Sequence, residues 1–265
     1  MTEKCDLLGK TSKCAPGIKE RDGFCFSDND LVEISKNYNS FYNETIDLTL
    51  PRRDLLNLLV KKTQEKFSCG SGSCWLQQDF MKGVSKEIKR KYKPQGPLDD
   101  KWLNTLDINN IMDRYTHVYP DFKWLGAIPL DFQELDLYSE VNFDDLNKLG
   151  LVINFDPHTK KGKHWVALYA ELNNNKIFYF DSYGGRPEHK EIRDFIKKLK
   201  RHCLDSNRVD YRYNKIRHQF KHSECGVYSV NFILRLLGKE TFKSITENIT
   251  KDDIMQSCRK TYFNT

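Results

Sequence analysis

Four short segments in the second half of the chain carry side chains suited to nucleophilic chemistry: Gly162-Lys163-His164-Trp165, Phe180-Asp181-Ser182, His218-Gln219 and Glu224-Cys225-Gly226. Taken singly each is weak, because a lone histidine is ordinarily a satisfied core or surface residue and a lone cysteine a small buried hydrophobe. Together they make a recognisable set. A thiol placed where a loop becomes a helix faces the partial positive charge of the helix N-terminus, which favours the thiolate. An imidazole beside it accepts the proton and stabilises the resulting ion pair. A carboxylate on the far ring nitrogen fixes the tautomer. These roles fall to Cys225, His164 and Asp181. Gln219, six residues before Cys225, can return its amide NH2 toward the sulfur and form an oxyanion hole with the Cys225 backbone N–H. Gly226 leaves room for a substrate backbone at the start of the helix.

These residues need elements that bring them together. Leu151 to Phe155 reads as a buried strand, Trp165 to Ala170 as a second and Lys176 to Phe180 as a third, with Asn173-Asn174-Asn175 as the hairpin turn between the last two. That hairpin places His164 and Asp181 at one edge. Ile192, Phe195, Ile196, Leu199 and Cys203 mark an amphipathic helix, Val209 to Tyr213 a further strand, and Cys225 to Leu237 an apolar helix stopped at Gly238. Upstream, Trp102 to Tyr115 has helical spacing. The class is α+β, with a mixed, mostly antiparallel sheet flanked by helices. The stretch Lys86 to Pro97 is basic and then broken by two prolines and a glycine, so a boundary is placed near residue 97. It separates a partly helical accessory region over 1–96 from a catalytic domain over 97–265. Residues 1–50 read as irregular, a helix is expected from Pro51, and Trp75 to Arg90 is expected as another.

The order His, Asp, Gln, Cys is not that of papain-like enzymes, where Cys comes first. The set His-Trp, Asp-Ser, Gln and Glu-Cys-Gly, at these spacings and preceded by Lys101-Trp102-Leu103-Asn104, resembles the ubiquitin-like-protein-specific protease superfamily. That superfamily includes the SUMO-deconjugating proteases and the adenovirus protease. Within it, the resemblance points to polyprotein proteases of large DNA viruses, of the African swine fever virus type. It covers roughly residues 97 to 240. It implies an adenovirus-protease-like fold and a thiol protease that cuts after glycine. Trp102 and Trp165 would wall a narrow tunnel for a glycine-containing protein substrate, with no metal and no organic cofactor. The SUMO proteases carry Asp after the Trp-Leu-Asn triplet, whereas this chain has Thr105. Maturation of viral structural polyproteins is the first reading, in host cytoplasm and virion. Deconjugation of SUMO, ubiquitin or a similar modifier is the second, and a non-enzymatic nucleic-acid- or capsid-binding protein the third.

Composition narrows the rest. The 265 residues are 38% hydrophobic, with 16 Phe and 13 Tyr, enough for a packed core. No apolar run is long enough to span a membrane and no signal peptide is visible, so membrane partners are excluded and free thiols are expected for the eight cysteines. Rival zinc chemistry at Cys5, Cys14, Cys25, Cys69 and Cys74 lacks the tight paired spacing, and His218 with His222 is a thinner candidate still. The net charge of +6 and the basic run 86–93 read first as a solvated surface and second as a DNA contact.

Overall fold

The computed structural model describes Cys5 and residues 13–264. By internal contacts the chain falls into two units, Ser12–Lys93 and a larger one formed by Met1–Thr11 with Pro94–Thr265.

In the smaller unit, α1 (Asp28–Tyr42) opens on a reciprocal capping box. Ser27 Oγ accepts from Asp30 N while Asp30 accepts from Ser27 N, satisfying two donors of the first turn. This helix lies inside the stretch expected to be irregular; the Ser27-x-x-Asp30 pattern was its signal. Helix α2 (Arg52–Phe67) starts after Pro51 and buries Leu55, Leu56, Leu59 and Thr63. The single helix expected over 75–90 is instead α3 (Gly72–Trp75), a 3₁₀ turn (Asp79–Gly83) and α4 (Lys86–Lys89). The physical reason is Asn37 of α1. Its Nδ2 donates to the Phe80 carbonyl, which a continuing helix would use itself. Trp75, Phe80, Met81, Val84 and Ile88 are all buried in one cluster. The basic run 86–93 is only partly a solvated face, because Ile88, Tyr92 and Lys93 are buried and Lys91 pairs with Asp30.

In the larger unit five strands lie in the order β1 (Phe122–Ile128), β2 (Lys148–Asn154), β3 (Trp165–Glu171), β4 (Lys176–Phe180) and β5 (Asp210–Tyr213). The centre, β2–β3–β4, is antiparallel; the two outer pairings are parallel. Side chains alternate between faces as the pleat requires. Ala167, Tyr169, Phe178 and Phe180 join the cluster containing α5 (Thr105–Asp113), α7 (Cys225–Leu237) and α9 (Asp252–Tyr262). Val166, Leu168, Ile177 and Tyr179 join the cluster of α6 (Lys190–Arg201) with Phe132, Tyr138 and Phe143. The β3–β4 turn closes through Asn175 in the left-handed region (φ 53°). Helix α8 (Phe242–Glu247) lies between α7 and α9 in sequence. Every residue of α7 is buried, so its first residue is fixed as firmly as its middle. Among the described residues, no helix is long and apolar enough to cross a membrane.

The expectation of free thiols is overturned. Cys5–Cys258, Cys14–Cys25 and Cys69–Cys74 are disulfides, leaving Cys203 and Cys225 free. Spacing alone does not reveal pairing across 253 residues. Two of the bridges instead close short loops in the smaller unit, where the core is small. The same bridges remove the sulfurs weighed as zinc ligands.

Trp75 is the keystone of the smaller unit. It is fully buried beside Phe24 and Phe26, and its Nε1 donates to Thr63 Oγ1 at 2.9 Å. Trp75→Ala should cost about 3–5 kcal/mol. Native-state hydrogen exchange checks this: the amides of Leu31, Ile34 and Leu59 should lose protection, and unchanged protection there contradicts the assignment.

Candidate active site

The β3–β4 hairpin delivers two side chains to one end of the sheet. His164 immediately precedes β3 and Asp181 immediately follows β4. His164 Nε2 lies 2.7 Å from Asp181 Oδ1, with both residues buried. The same Oδ1 accepts from Tyr183 N at 2.9 Å. The backbone at Asp181 is clamped by Asn214, whose Oδ1 accepts from Asp181 N at 2.8 Å while its Nδ2 donates to Asp181 O at 2.6 Å. The imidazole is held in plane by Tyr183, stacked at 4.6 Å between centroids, and by Phe155 edge-on at 5.1 Å.

Cys225 opens α7 and is buried and free. Burial alone would lower the His164 pKa. Hydrogen bonds to Asp181 and to Cys225, and the negative charge of both, overcome that and push it up to about 9. With Nε2 on Asp181, the thiol bond falls to Nδ1. Both partners favour the charged form of the ring.

Gln219 is fully buried. Its Oε1 accepts from Ser182 Oγ at 2.6 Å and its Nε2 donates to Lys221 O at 2.7 Å. The carbonyl partner fixes which end of the amide is nitrogen, and one N–H remains uncommitted among the described contacts. The loop bearing Gln219 is pinned throughout. Ser182 O accepts from His218 N and Gln219 N, each at 2.9 Å. Asp252 Oδ2 accepts from Phe220 N and Lys221 N. His218 is buried, with Nε2 on Thr246 O and Nδ1 accepting from Thr250 N. That network makes it a structural residue rather than a metal ligand, while His222 is exposed.

Sequence reasoning missed a second device. Glu224, directly before Cys225, forms a fully buried pair with Arg259 of α9, Nε to Oε2 at 2.9 Å. Arg259 also donates to Ser223 O and Pro97 O, each at 3.2 Å. Burial pushes the Glu224 carboxyl up from its ordinary value, against the pull of Arg259. Removing either partner of such a pair costs about 3–5 kcal/mol, so the residue preceding Cys225 cannot drift. No local pattern announces a partner 35 residues away.

The two tryptophans line one cleft, of about 310 Å³, with Asn104, Asn154, Pro157 and Gly162 among its walls. Trp165 is buried, its Nε1 donating to Leu103 O at 2.8 Å. Trp102 is 45% exposed and precedes α5 rather than lying on it. Gly226 lies at the start of α7, where the sequence placed it, but the space beside it is filled. It is buried against α5 and the segment before it, where an added Cβ would lie 3.1 Å from Leu103 Cβ and 3.4 Å from Ile108 Cδ1. Its smallness allows the close packing of α7 there.

An imidazole gripped by a carboxylate and bonded to a thiol in the first turn of a helix is the arrangement of a thiol hydrolase. The sequence model of the Ulp1 protease family, C-terminal catalytic domain, matches residues 139–265. A protein of Acanthamoeba polyphaga mimivirus named as a thiol protease is 35% identical, over 94% of this chain and 92% of its own. The SUMO-1 cysteine protease of African swine fever virus is 27% identical over 77% and 85%. A crystal structure of the African swine fever virus protease superposes with a TM-score of 0.71 at 22% identity, covering 99% of this chain and 98% of that one. The chain belongs to the Ulp1 protease family of cysteine proteases, and these relatives are proteins of large DNA viruses.

Because the folded-state pKa of His164 is raised from 6.5 to about 9, its charged pairing stabilises the fold fully below pH 6.5 and that contribution is lost as pH rises through about 9. Imidazole NMR should show His164 titrating near the upper value. In Asp181→Asn it should move down toward the ordinary value, whereas titration near 6.5 in the wild type contradicts the pairing.

Proposed function

We propose that the chain is an endopeptidase that cuts after glycine, with Cys225 as nucleophile, His164 as proton carrier, Asp181 as its orienting partner and Gln219 as oxyanion donor. The observation that carries this is the His164 ring, which bonds Asp181 on one side and Cys225 on the other. The thiolate attacks the scissile carbonyl carbon. The carbonyl oxygen becomes an oxyanion held by the uncommitted Gln219 N–H and the Cys225 backbone N–H. His164 gives its proton to the leaving amine as the C–N bond breaks. Water then adds to the acyl-thioester with His164 as base, releasing the carboxylic acid and restoring the thiol.

The glycine preference is supported by the cleft shared by Trp102 and Trp165. Trp165 is anchored by Leu103 O, so a chain passing beside it meets a rigid indole wall that disfavours side chains. Substrates of this kind include viral structural polyproteins, the reading favoured by viral relatives matching nearly the full length. Removal of a ubiquitin-like modifier is the second reading, favoured by the SUMO-1 protease name of the swine fever virus relative. DNA binding through the basic surface remains a secondary proposal, its weight reduced by the burial within 86–93.

Cys225→Ala should retain the fold and lose at least about 10⁴-fold in cleavage of a Gly-Gly peptide, with Asp181→Asn losing about 10²–10⁴-fold. Wild-type turnover by Cys225→Ala would end the assignment. Full-length modifier conjugates cleaved far faster than peptides would select the second reading.

A further inference from the structure

Outside the tryptophan cleft, side chains form a ladder that starts on the His164 ring. Tyr183 covers the imidazole face. The Arg217 guanidinium lies over the Tyr183 ring at 5.1 Å and over the Phe220 ring at 5.0 Å. None of these three residues lines the cleft. All three are exposed, Phe220 to 62% and Tyr183 to 37%.

Arg217 is held rather than loose. Its Nε donates to Gln219 O at 2.6 Å. Its backbone is locked against Gly184, which has φ +78°; a Cβ there would lie 2.7 Å from Arg217 N. Among the described residues, neither Nη group has a protein acceptor. The neighbouring carboxylates are already engaged. Asp181 is bonded to His164, Asp252 Oδ2 to Phe220 N and Lys221 N, and Asp253 to Lys221. The loop adds Lys215 and Lys221 and no acid between Asn214 and Ser223. A guanidinium lying over two rings, with its Nε tied down and its Nη groups open, is a preorganised fork for a carboxylate.

We infer that Arg217 is a specificity-determining residue for the leaving side of the scissile bond, where it takes an Asp or Glu side chain. This rests on the proposed endopeptidase. If the tryptophan cleft takes the glycine side, the chain leaving across His164 passes Tyr183 and meets Arg217. An extended peptide rises about 3.3 Å per residue, so the second or third position after the cut comes level with the fork.

The test uses the full chain and Gly-Gly peptides bearing Asp, Gln or Lys at each of the first three positions after the cut, compared by kcat/KM at low salt. The wild type should prefer Asp over Lys by about tenfold at one of these positions. Arg217→Gln should bring that ratio close to one, and Arg217→Glu should invert it. Because Arg217 also touches the Gln219 carbonyl, absolute rates can fall in both variants; that loss is common to all peptides and leaves the ratio as the readout. Cleavage that depends on Cys225 but shows no acid preference, or a preference unchanged in Arg217→Glu, overturns the assignment of Arg217 and leaves the endopeptidase standing. No cleavage of any peptide overturns both.

Discussion

A charged imidazole is costly to bury, and the larger unit surrounds His164 with partners that favour that form. Desolvation alone would strip the proton from His164; the Asp181 carboxylate at 2.7 Å and the Cys225 sulfur keep it there. Two of the three groups flank the β3–β4 hairpin and the third opens α7, so the charge balance exists only when the hairpin and the start of α7 are in place together. The hairpin register sets the distance between His164 and Asp181, and the wholly buried α7 sets the position of Cys225.

Around that balance, a set of buried polar contacts immobilises the neighbouring loops. Asn214 clamps the Asp181 backbone, Ser182 takes two backbone donors and orients Gln219, Asp252 holds the following turn, and Arg259 grips the residue before Cys225. Tolerances at a reacting centre are a fraction of an ångström, and loops are the least regular part of a fold. Polar ties at nearly every step from 214 to 224 convert a loop into a rigid support.

Much of this was legible in the residues. Strand β4 and helix α7 lie where the alternation and the apolar run place them, and His164 and Asp181 meet at the hairpin edge because period-two patterning fixes which strand ends coincide. What was not legible depends on long-range partners or on competing hydrogen bonds. Arg259 and Glu224 are far apart in sequence. The Cys5–Cys258 bridge spans almost the whole chain, and the helix expected over 75–90 yields to Asn37. Gly226 was read for the space it leaves, but its neighbours Leu103 and Ile108 decide what that space is for. The helix at Asp28 was marked by a capping box within an otherwise polar stretch, a local signal outweighed by the surrounding composition.

Selective capture of one sulfur by a glycine-terminated electrophile tests the central claim most directly. A Gly-Gly vinyl sulfone followed by peptide mapping should modify Cys225 and not Cys203, the other free thiol, and the reaction should disappear in His164→Ala. Modification spread over both thiols, or capture at Cys225 undiminished without the imidazole, would contradict it.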